Sequence, residues 1–365
     1  MPRRIRQVGA PLGLIIGLGV LIGIILMLTT LANPVGMVIG FVLASVATGV
    51  VLLTYIWFDR WEPEPPRLLI FAFVWGASIS VAASMLLEWT STPLLGQDGF
   101  VPLAIGAPVI EEATKGAFLL LMMTGRRRNE LNSLTDCLVY AGFVAAGFAW
   151  LENIFYIAMG ESISHSLLTA GLRLVMGPFA HPLFTGMTGI GVYIALQHRT
   201  AGAKVLYVGL GYLAAVVMHA LWNGSTVVGA GTYFLIYLFW MVPIFLLAVG
   251  TAILGRRREQ RMVAEKLPGL VASGLITPNE ATWLGSMRTR KVAIAAATQM
   301  GGKAAGKSVK AFAVQVVELA FVRDRIDRGL ADHRTYQLHA EEAYWLTATR
   351  TAAPALQWLS NYRIV

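Results

Sequence analysis

The feature that most constrains this chain is a series of apolar runs, each long enough to cross a membrane. A transmembrane helix needs about 20 residues to span the roughly 30 Å hydrocarbon core of a bilayer. Segments that meet or approach this length lie near residues 12–31, 35–57, 68–89, 107–124, 136–158, 174–197, 205–223 and 233–254. The sequence therefore predicts an all-α polytopic membrane bundle of about eight transmembrane helices. The stretch 99–106, which contains Pro102, is expected to be irregular or re-entrant.

Composition and charge favour a membrane protein over a nucleic-acid-binding protein. Charged residues make up 13% of the chain, against about 25% in soluble domains. The net charge of +9 would suit nucleic acid, but the basic residues cluster in short loops between apolar runs, so no nucleic-acid partner is expected. The clusters fall in every second loop: Arg3, Arg4 and Arg6; Arg60 and Arg67; Arg126, Arg127 and Arg128; Arg199 and Lys204; Arg256, Arg257, Arg258 and Arg261.

The loops between these clusters contain one basic residue, Arg173, at a helix edge. Basic residues concentrate on the cytoplasmic side of membrane proteins. This alternation supports the span count and predicts that the N- and C-termini are both cytoplasmic. The lipid bilayer is thus the first predicted partner of the chain.

The composition changes after about residue 255, where the chain becomes richer in charged residues and lacks another run of membrane length. We predict a transmembrane bundle over residues 1–255 and a cytoplasmic helical region over residues 256–365. Phe312, Val316, Leu319 and Val322 recur there at helical spacing. Residues 301–308, GGKAAGKS, fit the P-loop pattern, but a P-loop follows a strand and the preceding segment favours a helix. We expect a glycine-rich hinge rather than nucleotide binding.

Ionisable residues inside the apolar runs carry the functional information, because each costs at least a few kcal/mol at the bilayer centre and tends to mark function. Counting at about 1.5 Å per residue places them roughly 6–10 Å below the outer ends of helices that run in opposite directions. They are therefore predicted to meet at one level of the bundle. These residues are Glu111, Glu112 and Lys115 in the fourth segment, Glu152 in the fifth, His181 in the sixth and His219 in the seventh. Glu88, at the outer end of the third segment, is expected to reach the headgroups.

Four motifs containing these residues resemble those of the PrsW family of intramembrane proteases, which belongs to a wider group with the CAAX prenyl endopeptidases. The resemblance covers roughly residues 35–255, and its motifs occur in the family's order. It implies a protease of the bacterial plasma membrane that cleaves membrane-anchored proteins, such as anti-sigma factors, on the extracytoplasmic side. The motifs are Glu111-Glu112-x-x-Lys115, Phe148-x-x-x-Glu152-Asn153, His181-x-x-x-Thr185-x-x-x-Gly189 and His219-x-x-Trp222-Asn223.

Roles for these residues follow as hypotheses. Glu111 or Glu112 is the base that activates water, and Lys115 can reach either carboxylate because it lies three or four residues further on. Asn153 or Asn223 could donate to the oxyanion. A zinc site with one open position could be formed by Glu152, His181 and His219. A metal-free mechanism stays open, in which a glutamate activates water and the histidines position it.

Three other interpretations stay open at this stage. The embedded charges could be a structural ion pair that holds the helices together. They could form a proton or ion relay in a transporter, although no inverted repeat is visible. They could also belong to a binding protein without proteolytic activity. A transporter would show ion flux without cut products, and a binding protein would keep its function after mutation of either glutamate.

Overall fold

The computed structural model describes residues 11–61 and 63–363, and this part of the chain consists of helices, turns and loops without a β-strand. Arg3, Arg4 and Arg6, which contribute to the predicted orientation, lie outside the described residues. The described residues form two compact units. The membrane unit contains the residues from 11 to 59 and from 64 to 252, and the second unit contains the segment around Trp61 together with the chain from Ile253 onward.

The membrane unit is built from long apolar helices that are interrupted or extended by π-helical turns. A π-helical turn is rare and often lies at a functional site. In the described residues these turns are Gly76–Ser80, Pro102–Gly106, Gly171–Met176 and Tyr237–Met241. The helices are α1 (Leu12–Ala32), α2 (Pro34–Phe58), α3 (Pro66–Trp75), α4 (Val81–Leu95), α5 (Ala107–Met122), α6 (Leu134–Ala158), α7 (Ile163–Ala170), α8 (Ala180–Leu196), α9 (Ala201–Val228), α10 (Ala230–Ile236) and α11 (Val242–Ala272), of which α11 continues into the second unit.

Seven helical stretches of the described residues are long and apolar enough to cross a membrane. The remaining predicted segment is α5, which is helical but has 16 residues and includes Glu111, Glu112 and Lys115. Its short length and its three charges exclude it from the stretches recognised by length and apolar composition. All three charged side chains are nevertheless buried. The prediction of an all-α polytopic bundle is confirmed. The seven stretches are Leu12–Leu31, Pro34–Phe58, Pro66–Leu95, Leu134–Ala158, Ile163–Leu196, Ala201–Val228 and Ala230–Ala272.

The expectation that residues 99–106 are irregular is wrong for residues 100–106, which are helical, whereas Gly99 is a bend with a positive φ. Residues 102–106 form a π-helical turn that continues directly into α5. Pro102 is tolerated there because it stands in the first turn, where a missing backbone N–H removes little hydrogen bonding.

Helix α6 is the centre of the membrane unit, since 78% of its apolar window is buried, against 6% for α1. Its start is fixed by a capping box, in which the Ser133 hydroxyl accepts from the Asp136 backbone N–H at 3.2 Å and the Asp136 carboxylate accepts from the Ser133 N–H at 2.7 Å. Gly147 allows close packing on this helix, because a Cβ there would lie 2.0 Å from the Phe73 carbonyl oxygen. The buried position of α6 places Glu152 within the bundle.

Helices α8 and α9 pack closely through a pair of glycines. A Cβ on Gly211 would lie 2.6 Å from the Met187 carbonyl oxygen and 2.9 Å from the Gly191 Cα. Small residues let helix backbones approach each other in membranes, where apolar burial against lipid drives association little. This contact fixes α9 against α8 and thereby brings His219 towards His181.

The second unit has its own helical core. It contains the end of α11, α12 (Pro278–Leu284), α13 (Met287–Asp327), α14 (His333–Ala352) and α15 (Pro354–Leu359). The residues predicted to share a helix face, Phe312, Val316, Leu319 and Val322, are all buried. Trp61 belongs to this core, and the Arg290 guanidinium lies 4.4 Å from the centre of its ring.

The P-loop-like stretch 301–308 lies in α13 and forms a bend between helical segments rather than a strand-to-helix loop. Gly302 has a φ of 73°, which residues with a side chain rarely adopt, so the helix bends there. The glycine-rich hinge expected from the sequence is therefore present.

Candidate active site

The acidic motif on α5 forms a compact ion triad. The Lys115 ammonium lies 2.6 Å from Glu112 Oε1 and 3.3 Å from Glu111 Oε2. Spacings of three and four residues put all three side chains on one side of the helix. Lys115 and Glu112 are completely buried. One cation thus serves two carboxylates, as the spacing predicted.

Glu112 is also tied to the two neighbouring helices. Its Oε1 lies 3.0 Å from His219 Nδ1 on α9, and its Oε2 accepts a hydrogen bond from the Thr185 hydroxyl on α8 at 2.8 Å. Both oxygens of the Glu112 carboxylate are therefore engaged. The Phe184 ring stacks on the His219 imidazole with 4.8 Å between ring centres, which fixes the plane of this histidine.

His181 joins the triad from the start of α8. Its Nδ1 lies 3.2 Å from Lys115 Nζ, and its Nε2 lies 2.9 Å from Glu152 Oε2. Because an ammonium can only donate, Nδ1 accepts from Lys115, and Nε2 then donates to Glu152. The rings of His181 and His219 are 5.0 Å apart between centres. The four helices α5, α6, α8 and α9 thus bring their embedded polar groups together.

The group of potential metal ligands in the structure differs from the predicted set by one residue. One ligand atom each from Glu111, His181 and His219 lies within 4.8 Å of the others, and all three residues are buried. The predicted set had Glu152 in place of Glu111. Glu152 contacts the Nε2 of His181, so it is placed to orient this potential ligand. The functional roles of both glutamates stay predictions.

Arg173 is a site residue that the sequence analysis did not identify. It lies in the π-helical turn Gly171–Met176 and forms an ion pair with Glu152. Its Nε donates to Asn153 Oδ1 at 2.6 Å, and its guanidinium lies 4.0 Å from the centre of the Tyr156 ring. A signal was present, since Arg173 is the one basic residue of the loops opposite the basic clusters. Ionisable residues at membrane depth are functional candidates by default.

The two predicted oxyanion donors occupy different places. Asn153 is engaged with Arg173 through its carbonyl oxygen. Asn223, on α9, donates to the Leu103 carbonyl oxygen at 3.2 Å, within the π-helical turn before α5. Asn223 is half-buried and lines the cavity described next, whereas Asn153 is not among the described residues that line it.

A cavity of about 750 Å³, here called the site cavity, opens beside these residues. Its size is within the range of ligand-binding pockets. Most of its wall is apolar, and its polar groups come from α4, α5, α6, α8, α9 and the π-helical turn Gly171–Met176. Those that bear on the chemistry are Glu88, Glu111, Glu152, Arg173, His181 and Asn223.

Comparison with known proteins identifies the class. The family model described as PrsW family intramembrane metalloprotease matches residues 64–248, which include every helix that contributes to the site. The chain is 27% identical to Protease PrsW of Oceanobacillus iheyensis over 207 residues, which is 56% of this chain and 91% of that protein. It is 26% identical to Protease PrsW of Geobacillus kaustophilus over 186 residues, 49% of this chain and 76% of that protein. No solved structure matches the chain at comparable significance.

The family match identifies the chain as an intramembrane protease, and its helical membrane bundle with a carboxylate–histidine cluster beside a cavity agrees with this class. The chain belongs to the PrsW family. It is a multi-pass protein of a bacterial membrane, and its substrate is a protein in that membrane.

Proposed function

We propose that the membrane unit cleaves peptide bonds of membrane-anchored proteins within the site cavity, with Glu111 as the proton acceptor. We further propose a divalent metal ion, zinc in the first instance, held by Glu111, His181 and His219. The observation that supports this most directly is the convergence of these three ligand atoms within 4.8 Å, with Glu111 and His181 on the cavity wall.

Glu111 is the best candidate for the acid–base role because the other two carboxylates in contact with the histidines, Glu112 and Glu152, are occupied. Glu112 uses both oxygens in contacts with Lys115, His219 and Thr185. Glu152 contacts both Arg173 and His181. The ion pairs of Glu111 with described residues involve Oε2 alone, so Oε1 is the oxygen that can take a proton.

The residues present fit a metal ion if His181 Nδ1 exchanges its contact with Lys115 for the ion, because the other ring nitrogen, Nε2, donates to Glu152. One carboxylate and two imidazoles make a donor set that zinc accepts in catalytic sites, with one position left open. His219 Nδ1 faces Glu112, and its Nε2 is on the side of Glu111 at 3.8 Å, which is the arrangement that orients histidine ligands in metal sites. When bound, the ion would supply Lewis acidity towards the peptide carbonyl and make a neighbouring water more acidic.

The chain's own groups perform the remaining steps. Glu111 accepts the proton of the attacking water and returns it to the leaving nitrogen. Asn223 uses one amide N–H for the Leu103 carbonyl and has a second for the developing oxyanion. Asn153 and Arg173 hold Glu152, which in turn holds His181. Asn153 is therefore a positioning residue in this proposal, rather than an oxyanion donor.

The proposed substrate is a membrane-anchored protein cut near the extracytoplasmic surface, such as an anti-sigma factor. The cavity opens within apolar helices at the level where the sequence predicts the outer half of the bilayer. We assign the activity to residues 1–255 and treat residues 256–365 as a separate cytoplasmic helical part, in keeping with the two compact units.

The test uses purified protein in liposomes with a panel of single-span reporters that includes a membrane-anchored anti-sigma factor. Cleavage and bound metal are measured on the same samples of wild type, His181→Ala and His219→Ala. His165→Ala is the matched control, because His165 is exposed on α7. We expect both site variants to lose cleavage and metal and the control to keep both. Chelation should stop wild-type cleavage, and zinc should restore it.

Two results would contradict the proposal. Cleavage by His219→Ala at the wild-type rate would remove the histidine from the mechanism. Absence of cut products across the panel, together with ion flux into the liposomes, would favour the transport interpretation of the embedded charges.

A further inference from the structure

Glu88 differs from the other ionisable residues on the wall of the site cavity. Glu111, Glu152 and His181 each contact an oppositely charged or hydrogen-bonding side chain. The Glu88 side chain makes no hydrogen bond or ion pair with another described residue, and only its backbone carbonyl is used, by the hydroxyls of Ser91 and Thr92. A carboxylate at membrane depth without a partner is costly and tends to mark function.

The position of Glu88 on α4 places it on the cavity rather than towards lipid. Val81, Ser84, Met85 and Glu88 recur at spacings of three and four, so they share one helix face, and all four line the cavity. The neighbouring residue Trp89 is 71% exposed on a different face. The expectation that Glu88 serves only to reach headgroups therefore does not account for its placement.

The same helix face is attached to the helix that carries the active-site carboxylates. The hydroxyls of Ser84 and Thr114 lie 3.0 Å apart, and Thr114 in turn donates to the Glu111 carbonyl oxygen. Glu88 is one helical turn from Ser84, about 6 Å along the axis. A substrate segment bound in the cavity beside Glu111 thus passes close to Glu88.

The two cations beside the site cavity are engaged by carboxylates other than Glu88. Lys115 forms ion pairs with Glu111 and Glu112, and Arg173 forms one with Glu152. In a medium of low dielectric constant, the unpaired carboxylate of Glu88 favours an incoming cation.

We infer that Glu88 determines specificity by binding a lysine or arginine side chain of the substrate next to the scissile bond. This inference rests on the proposed proteolytic function and adds a substrate class to it. The cavity accommodates only a short segment of polypeptide, so the basic residue lies within a few positions of the cleavage site.

The experiment uses a single-span reporter in which each residue of the cleaved region is replaced in turn by lysine, glutamine or glutamate. Wild type, Glu88→Gln and Glu88→Lys are compared in liposomes. Glu161→Gln is the control, since Glu161 is exposed in the loop after α6. We expect wild type and the control to prefer the lysine reporter at one or two positions by about tenfold in kcat/KM. Glu88→Gln should lose this preference, and Glu88→Lys should prefer the glutamate reporter.

The neutral glutamine reporter separates the specificity role of Glu88 from the protease function itself. If wild type cuts it and Glu88→Gln keeps the wild-type preference for lysine, the specificity role of Glu88 is wrong while the protease function stands. If wild type cuts none of the reporters, the proposed function itself fails, and the inference fails with it. Reversal of preference in Glu88→Lys cannot arise from a general loss of folding, because that would lower all three rates together.

Discussion

Glu112 and His219 are joined across the bundle, with 3.0 Å between Oε1 and Nδ1, although 107 residues separate them in sequence. Both side chains are almost completely buried. A carboxylate on one imidazole nitrogen fixes the tautomer and directs the other nitrogen, here towards Glu111. In the proposed mechanism the two adjacent glutamates of α5 therefore have separate tasks: Glu112 orients His219, and Glu111 faces the cavity.

Glu112→Gln should therefore reduce activity through His219 rather than through proton transfer. We expect a loss of about 10–100-fold, typical for a residue that supports a ligand. Bound metal should fall in parallel, because the histidine is no longer held. Measuring metal affinity and cleavage on the same samples checks this. A Glu112→Gln protein with wild-type metal affinity and no activity would instead make Glu112 the base.

Arg173→Gln should lower cleavage by a similar factor, about 10–100-fold, because it leaves the Glu152 carboxylate without its cation and loosens His181. Arg173→Lys should recover only part of the activity, since an ammonium cannot bind Glu152 and Asn153 through a planar fork. Arg126→Gln, at an exposed position, is the control. Equal activity of Arg173→Gln and the control would show that the ion pair is dispensable.

The packing of α8 on α9 can be tested with two glycines of the same helix. Gly211→Ala places a methyl group against Met187 and Gly191, whereas Gly209→Ala meets no atom within 4 Å. Overpacking of this kind costs typically about 1–3 kcal/mol. We expect Gly211→Ala to lower the free energy of unfolding in detergent by this amount and Gly209→Ala to leave it unchanged. Equal unfolding curves for the two variants would mean that the helices are less closely packed.

A buried carboxylate between two membrane helices gives a pH-dependent prediction. Burial raises the pKa of Glu64 well above its usual value, and the neighbouring carboxylates Asp136, Asp59 and Glu130 raise it further. The folded protein therefore binds this proton more tightly than the unfolded chain, and stability falls as pH rises from the unfolded pKa to the folded pKa. The hydroxyl of Tyr140 donates a hydrogen bond to the Glu64 carboxyl group at 2.5 Å. A glutamine at position 64 can still accept this hydrogen bond through its amide oxygen.

Glu64→Gln should consequently flatten the decline in stability above about pH 4.5. Unfolding curves of wild type and variant between acidic and neutral pH provide the measurement. If wild type gains stability across this interval relative to the variant, Glu64 is ionised in the folded protein and the assignment of a raised pKa is wrong.

Much of the site could be predicted from the sequence because membrane depth limits where polar groups can be. Residue counting alone placed Glu111, Glu112, Lys115, His181 and His219 at one level, and the structure brings them into contact. Apolar length also predicted the seven stretches that can cross a membrane, together with an eighth segment that is helix α5. Helix α5 shows the limit of that approach, since its functional charges lower the apolar signal by which spans are recognised.

The spacing of residues along one helix does not reveal which of its side chains face a neighbouring helix. Of the two histidines, Glu152 contacts His181 alone, whereas Glu111 groups with both. This difference depends on how α6 is rotated in the bundle, which long-range contacts such as that of Gly147 with Phe73 help to determine. Arg173 was missed because its position depends on a π-helical turn, whose extra residue shifts the side chains that follow it. A pattern based on the regular helical period does not reveal such a turn.

The central claim is that Glu111 transfers the proton in peptide-bond hydrolysis, and its most direct test is single-turnover cleavage by Glu111→Gln. The variant keeps the shape and hydrogen-bonding capacity of the side chain but cannot accept a proton as a carboxylate does. With folding and bound metal verified on the same sample and Glu161→Gln as the control, we predict a fall in the cleavage rate of about 10²–10⁴-fold. A rate for Glu111→Gln within a few-fold of the control would contradict the mechanism.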